Sequence, residues 1–467
     1  MKAHLTLLAA SLLLAACSTP LSPPDSGIQS PSTWQHLETP AAEADNRQWW
    51  TQFGSPQLNR LIEQARLDSH DLAAAMARVR QAQANAVIAG APLLPELKAG
   101  LNGTRQELLR GKGYSQLDVD RDNRSLDYYD ANLSATYELD FWGGKRAARD
   151  SALGTLAASR FDRATVELTL LSGVANSYTQ ALSLGEQRRI AELNLANAQS
   201  VLDLVQTRYD AGSATAVELS QQKGLVAAQQ RRLPQVQQQA REALITLATL
   251  LGQPVQAVRL DAEDFERLHW PSIDAGVPSD LLRRRPDIAA AEARLSAAEA
   301  DIRVARAAML PSMTLGLSLA SGADIADQVL RNNVYNLTAG LAAPVFNNGR
   351  LKAERDKATA RQEELLQTYR AAIINGFADV EKALNGINGL ERQRQWQAEE
   401  LQQAQSAFDI AQRRYQAGAE DLLTVLETQR TLYAAQDMNV QLRLARVQAS
   451  VALYKALGGG WGVGGGG

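Results

Sequence analysis

Apolar residues recur with two different periods along this chain. Around Pro95 the period is two, with Leu97, Ala99 and Leu101 alternating with Glu96, Lys98 and Gly100. The next segment continues it, with Tyr129, Ala131, Leu133, Ala135, Tyr137 and Leu139 set against Asp130, Asn132, Ser134, Thr136, Glu138 and Asp140. The same alternation returns at Met313, Leu315, Leu317 and Leu319, and again at Tyr335, Leu337, Ala339, Leu341, Ala343 and Val345. This pattern predicts four strands paired as two hairpins, within 94–141 and 310–346. After Gly143 and Gly349 the period becomes helical. Gly143 to Gly212 and Gly349 to Gly418 are 69 residues each, and Gly212 to Gly252 and Gly418 to Gly458 are 40 residues each. A continuous helix of the longer span would run ~100 Å. Its apolar stripe has coiled-coil steps of four and three: Ala191, Leu195, Ala198, Leu202, Val205, Tyr209, and in the second half Leu401, Ala404, Phe408, Ala411, Tyr415. Gly212 and Gly418 are the expected left-handed stops that turn each long helix into a shorter antiparallel partner. Pro234 is expected to kink the first shorter helix.

The chain is written twice. Asp71–Arg78 matches Asp287–Arg294, and Leu94-Pro95 matches Leu310-Pro311, at an offset of 216. Arg208-Tyr209-x-Ala-Gly212 matches Arg414-Tyr415-x-Ala-Gly418, and Leu251-Gly252 matches Leu457-Gly458, at 206. The first half thus holds about ten extra residues between Leu101 and Tyr129. The predicted organisation is repeat 1 over 57–252 with its tip turn at 208–214, an inter-repeat segment at 253–278, and repeat 2 over 279–457 with its tip turn at 414–420. A Gly-rich tail follows at 458–467. Strands and tip turns are expected at opposite ends of a rod. Alternation alone fits any half-buried sheet. Four strands cannot close a barrel by themselves, since about eight is the working minimum. The chain must therefore oligomerise, or the sheet must pack elsewhere.

Composition narrows the classes. Lys+Arg 48 against Asp+Glu 51 leaves a net charge of −3, and no basic surplus argues for nucleic acid. One cysteine excludes a disulfide framework. The four histidines, His4, His36, His70 and His269, have no metal-ligand spacing. The longest apolar run, Leu5–Ala16, is 12 residues, too short for a spanning helix but suited to a secretory signal over 1–16. It ends in Leu14-Ala15-Ala16-Cys17, a bacterial lipobox that predicts lipidation, palmitate included, at Cys17. By similarity to bacterial lipoproteins, Ser18 after the cysteine favours the outer membrane. Residues 17–56 are read as a lipid-anchored tether, extended where Pro20, Pro23, Pro24, Pro31 and Pro40 fall.

Several further motifs resemble one family. They are Trp49-Trp50 with Phe53 and Leu58, Tyr137-Glu-Leu-Asp-Phe-Trp-Gly143, the two Arg-Tyr-x-Ala-Gly turns, Arg284-Arg285-Pro286-Asp287-Ile288 and the closing Ala456-Leu-Gly-Gly-Gly-Trp461. Together they resemble the TolC-like outer-membrane efflux channels in their lipid-anchored branch. The resemblance implies an α+β membrane protein. Four strands from each of three chains would form a 12-strand β-barrel, continuous with an α-helical coiled-coil barrel projecting into the periplasm. It implies a homotrimer working with a periplasmic adaptor and an inner-membrane pump of the RND or ABC type. It further implies a periplasmic gate at Leu423, Glu427 and Arg430, with Tyr415 as a further contact there. The tip turns, with Arg208, Tyr209, Gly212, Arg414, Tyr415 and Gly418, would meet the adaptor. Glu427 lies one turn beyond Leu423, so the two share a helix face, and near a threefold axis they would form an apolar and an acidic ring. The alternative for Arg430 is an ordinary surface ion pair with Glu427.

No enzymatic constellation is nominated. Arg110-Gly-Lys-Gly113 and Gly143-Gly-Lys145 lack the spacing of a phosphate loop. Arg283-Arg284-Arg285 reads as a solvated or interface patch. No cofactor or metal site is expected. The leading function is a passive exit duct for drugs or other small molecules. A metal-ion or siderophore duct and a non-conducting trimeric scaffold or adhesin remain as alternatives, and the sequence does not name the cargo.

Overall fold

The computed structural model describes residues 25–37, 46–107, 109–110, 125–261, 264–271, 273 and 275–459. The signal segment, Cys17, the loop residues Lys112, Asp118 and Asp120, and Trp461 lie outside them. The elements in order are α1 (Pro56–Asp68), α2 (His70–Gly90), β1 (Glu96–Glu107), β2 (Ser125–Leu139), α3 (Gly144–Asp210), α4 (Ala216–Leu250), α5 (Pro278–Arg284), α6 (Pro286–Ala307), β3 (Ser312–Ala323), β4 (Asn333–Ala342), α7 (Arg350–Gln416) and α8 (Leu422–Ala456). The fold class is α+β, as expected. Both long helices are 67 residues and both short partners 35, so the two repeats are equal in the helical hairpin that follows their strands. Pro234 does not break α4, which continues to Leu250.

The residues fall into two compact units. The first holds Arg80–Ala158 and Ala291–Tyr369, with the whole sheet. Its strands run antiparallel in the order β1-β2-β3-β4. The register places Leu97, Ala135, Leu317 and Leu337 in one row, and Ala99, Leu133, Leu319 and Tyr335 in the next. Opposite residues share a face, so these rows build one apolar face. The other face carries Lys98, Ser134, Ser318 and Asn336, then Glu96, Thr136, Gly316 and Thr338. The apolar face is open: Leu101 is 83% exposed, Leu337 78% and Tyr335 75%. The strands are 12, 15, 12 and 10 residues long, each long enough to reach the roughly 9–11 residues a tilted strand needs to cross a bilayer. Among the described residues no helix is long and apolar enough to do so.

The second unit holds Ile28–Val79, Ser159–Ala290 and the residues from Arg370 onward. Its N-terminal part corrects the expectation of a tether through residue 56. Trp34 is buried, donates to the carbonyls of Ala275 and Gly276, and meets Phe377 edge-on at 6.2 Å. The amides of Gln35 and His36 donate to Glu381, and the His36 ring nitrogen lies 2.7 Å from the same carboxylate. Farther on, Trp49, Trp50 and Phe53 are buried, and Trp49 stacks on Tyr454 at 5.2 Å. These aromatic and hydrogen-bonded contacts dock the segment onto the second unit, with Trp34, Trp49, Trp50 and Phe53 as its buried anchors.

The turns that end the long helices are near-copies. Gly212 and Gly418 both have φ of +75°. The Ser213 amide donates to the Arg208 carbonyl, and the Ala419 amide to the Arg414 carbonyl, each at 2.8 Å. This is the double-bonded stop that a left-handed residue makes possible. A methyl group at either glycine would meet nothing within 4 Å, so the cost of substitution is backbone strain alone. Gly212→Ala and Gly418→Ala should each destabilise the protein by about 1–2 kcal/mol, read as a lower unfolding midpoint; no change would mean that these turns relax.

Candidate functional site

At the tip end of the second unit, α3, α4, α7 and α8 enclose an apolar core that includes Val201, Val205, Leu219, Phe408, Ala411, Leu422 and Leu426. The start of α8 is fixed by Asp421, whose carboxylate accepts from the Thr424 amide at 2.8 Å. The start of α4 is fixed by Thr215 and Glu218, each side chain accepting from the other's backbone amide. With the phase of α8 set in this way, Leu422, Val425, Leu426 and Gln429 point inward, while Leu423, Glu427 and Arg430 are exposed. The structure therefore brings the three expected constriction residues to one accessible side of α8. Among the described residues neither Glu427 nor Arg430 has an ion-pair partner, so the simple i,i+3 pair does not form.

The two tip turns differ in their side chains despite their matching backbones. Tyr209 is 41% exposed, whereas its repeat counterpart Tyr415 is 3% exposed and packs in the core. Arg208 stacks on the Tyr415 ring, 4.1 Å from its centroid, and donates to the carbonyls of Tyr415 and Gln416. Burial pushes the Tyr415 phenol up, opposed by the Arg208 charge. Arg414 instead closes on its own turn, through Glu420 and the Ala419 carbonyl. Tyr415 is thus an internal support under Arg208, and its ring is not presented to another chain. The reason is a shift of phase. α3 buries Ala191, Asn194, Ala198, Val201 and Val205, whereas α7 buries Ala404, Phe408, Ala411 and Tyr415. Leu195 and Leu202, expected in the stripe, are only half-buried.

Arg285 departs from the solvated or interface patch expected for Arg283-Arg284-Arg285. Arg283 and Arg284 are exposed as expected, but the Arg285 side chain is only 11% exposed. It grips Asp287 with two hydrogen bonds of 2.9 and 2.6 Å, reaches Asp379 at 3.0 Å, and donates to the Ala456 carbonyl at the end of α8. One guanidinium thereby ties α6, α7 and α8 together. The Arg-Pro-Asp spacing held the signal, because a proline at the first helical position followed by an acid fixes a turn that folds the arginine back. At another level of the same helices, Trp270 of the inter-repeat segment sits under Arg394 at 4.1 Å and Arg443 at 4.9 Å.

The arrangement supplies a lipid-compatible sheet in one unit and an end-exposed polar and apolar face on α8 in the other. The profile of the family described as Outer membrane efflux protein matches residues 61–253 and 277–459, one stretch for each repeat. The chain belongs to the outer membrane efflux protein family. This efflux protein is 62% identical over 459 residues to the pyoverdine export outer membrane protein OpmQ of Pseudomonas aeruginosa, covering 98% of this chain and 97% of that protein. It is 30% identical to the toluene efflux pump outer membrane protein TtgC of Pseudomonas putida, covering 98% and 96%. Its fold is similar to that of the outer-membrane channel OprN, with a TM-score of 0.87 at 26% identity over 95% of this chain and 98% of the other. The efflux protein is an exit channel of the bacterial outer membrane.

Two predictions follow from the charge clusters. Arg285→Met removes the hydrogen bonds to Asp287, Asp379 and the Ala456 carbonyl, and because both carboxylates are more than a third exposed it should cost only about 1–2 kcal/mol, measured as a drop in unfolding midpoint; an unchanged midpoint would show that these bonds do not stabilise the second unit. For the pH dependence, burial acts to raise the pKa of Asp287, but the Arg285 guanidinium and the Ile288 amide outweigh it and hold the carboxyl below its ordinary value of 3.8. Glu381 is likewise held below 4.5, because the Gln35 and His36 hydrogen bonds outweigh its burial. The unfolded chain therefore takes up these protons first on acidification. Their contribution to stability is full above about pH 5 and is lost as pH falls through the depressed values, below about 4. A midpoint that stayed flat down to pH 2 would contradict this.

Proposed function

We propose that three copies of this chain form a single duct through the outer membrane, and that its cargo is a siderophore of the pyoverdine class. The observation that carries the duct is the sheet with one uncovered apolar face and two unpaired edges, β1 and β4. Three such sheets joined edge to edge make twelve strands, with the apolar face toward lipid and the Asp130, Asn132 and Ser134 side toward water. The cargo reading is supported by 62% and 60% identity, over 98% of the chain, with two pyoverdine exporters. Identity is 30% with a toluene efflux protein and 32% with the cation efflux protein CusC of Escherichia coli.

In this reading the protein performs no chemical conversion. Energy and cargo choice come from an inner-membrane pump of the RND or ABC type, reached through a periplasmic adaptor. The tip turns, with Tyr209 exposed and Gly212 and Gly418 at their bends, meet the adaptor, while Arg208 and Arg414 hold the turns in shape. Leu423, Glu427 and Arg430 close the periplasmic end. Tyr415 supports that end from inside the helical core. Cys17 carries the lipid that retains the N-terminus at the membrane.

In a siderophore-producing cell, deletion of the gene should leave the iron-chelating product in the periplasm and lower its amount in the medium; undiminished secretion would reject the cargo. In planar bilayers, Glu427→Ala with Arg430→Ala should raise basal conductance severalfold. Unchanged conductance in the double variant would reject the gate.

A further inference from the structure

The apolar core at the tip end of the second unit contains a polar seam. Gln222 and Gln429 are 0% exposed, Asn194 4% and Tyr433 7%. They lie among Val201, Leu225, Val425, Leu426 and Leu432. Gln222 of α4 donates to the Ala198 carbonyl of α3 at 2.7 Å. One turn earlier on α3, the Asn194 carbonyl accepts from the Tyr433 hydroxyl of α8 at 2.8 Å. That hydroxyl in turn accepts from Gln429 Nε2, also at 2.8 Å. Among the described residues, the amide oxygens of Gln222, Gln429 and Asn194 accept no hydrogen bond. Apolar side chains of similar size in these places would leave no unmet acceptor. Such incompletely satisfied groups weaken the packed state, so the seam serves something other than stability.

What it supplies is registration. The acceptor for Tyr433 is a main-chain oxygen at one position along α3, and a hydroxyl engaged in two directional bonds tolerates little displacement. Sliding α8 by one residue moves it ~1.5 Å, and turning it by one residue moves it about 100°; either breaks the bond. Gln429, which aims the hydroxyl, lies between the exposed Glu427 and Arg430 on the same helix. One turn past Tyr433, Asp437 pairs with Arg232 of α4 at 3.1 Å, so α8 is fixed against both helices of the first repeat. Burial pushes the Tyr433 phenol up to about 12, which keeps it a neutral donor at physiological pH.

We infer that Tyr433 is a positioning residue for the periplasmic constriction: by bonding the Asn194 main-chain oxygen it sets the rotation of α8, and hence the direction in which Leu423 and Glu427 face. This inference rests on the gate reading above. Loss of the hydroxyl lets α8 turn without emptying the core, because the ring stays. The seam is thus a weak point placed where the constriction and the first repeat are joined.

The test is single-channel recording of the full-length trimer in planar bilayers, alongside its thermal unfolding. Tyr433→Phe should raise the open fraction about tenfold, the shift expected for one lost hydrogen bond, with a nearly unchanged unfolding midpoint. Asn194→Ala keeps the main-chain acceptor and should behave as the wild type. Gln429→Met, which keeps volume but no longer aims the hydroxyl, should open the channel to a lesser degree. Wild-type gating in Tyr433→Phe, with leakage in the Glu427 and Arg430 double variant, would overturn the inference and leave the gate standing. If all of these variants gate normally, both readings fall. A leak from Tyr433→Phe beside a silent double variant would contradict the stated link to Leu423 and Glu427. Should Tyr433→Phe and Gln429→Met both fail to assemble, the seam is a folding element and the positioning role is rejected.

Discussion

The structure turns on one requirement: in hydrocarbon, every backbone amide and carbonyl must be paired, because water is not there to take the lost hydrogen bonds. The four-stranded sheet satisfies this between β1 and β2, β2 and β3, and β3 and β4, and leaves the outer edges of β1 and β4 open. Its apolar face is large and uncovered within the protomer. An open edge and an exposed apolar face are both liabilities in water. In a closed barrel set in lipid both are resolved, the edges by pairing with further copies and the face by acyl chains. Among the described residues there are four strands only, too few to close a barrel, so assembly is a condition of membrane insertion.

The helical unit solves a different problem. Helices of 67 residues have far more side than end, and their stability depends on packing along a seam. Small residues such as Ala191, Ala198, Ala404 and Ala411 let the backbones approach closely. Charged groups pin the assembly at chosen levels: Arg285 among Asp287, Asp379 and the end of α8, and Arg208 over Tyr415. The polar seam through Tyr433 lies among apolar layers and adds direction where apolar contacts alone would permit sliding. Rigidity and adjustability are therefore distributed along the same helices by residue type.

Much of this was legible in the sequence. Strict alternation located all four strands to within a few residues, since a one-residue slip would invert both faces. The two glycine stops and the equal helix spans followed from the repeat. The stripe of α7 was read correctly at Ala404, Phe408, Ala411 and Tyr415. That of α3 holds at Ala191, Ala198 and Val205 but not at Leu195, Leu202 and Tyr209, because four-three and three-four steps both satisfy the period, and Leu195 and Leu202 look better core residues than Asn194 and Val201. The docking of Trp34 and the inward turn of Tyr415 depend on partners distant in sequence, Phe377 and Arg208, and no local pattern encodes them; the burial of Arg285 combines the local Asp287 with the distant Asp379. The set Leu423, Glu427 and Arg430 rests on the family resemblance; helical spacing puts the three on one face of α8, and the structure shows that face to be the outward one.

Closure of the barrel by edge pairing is the central claim, and disulfide trapping tests it most directly. Cysteines placed along β1 and along β4 of the same chain should, on mild oxidation in outer membranes, give a ladder of linked species that ends at three copies. Absence of links, or a ladder that continues past three, would contradict the account.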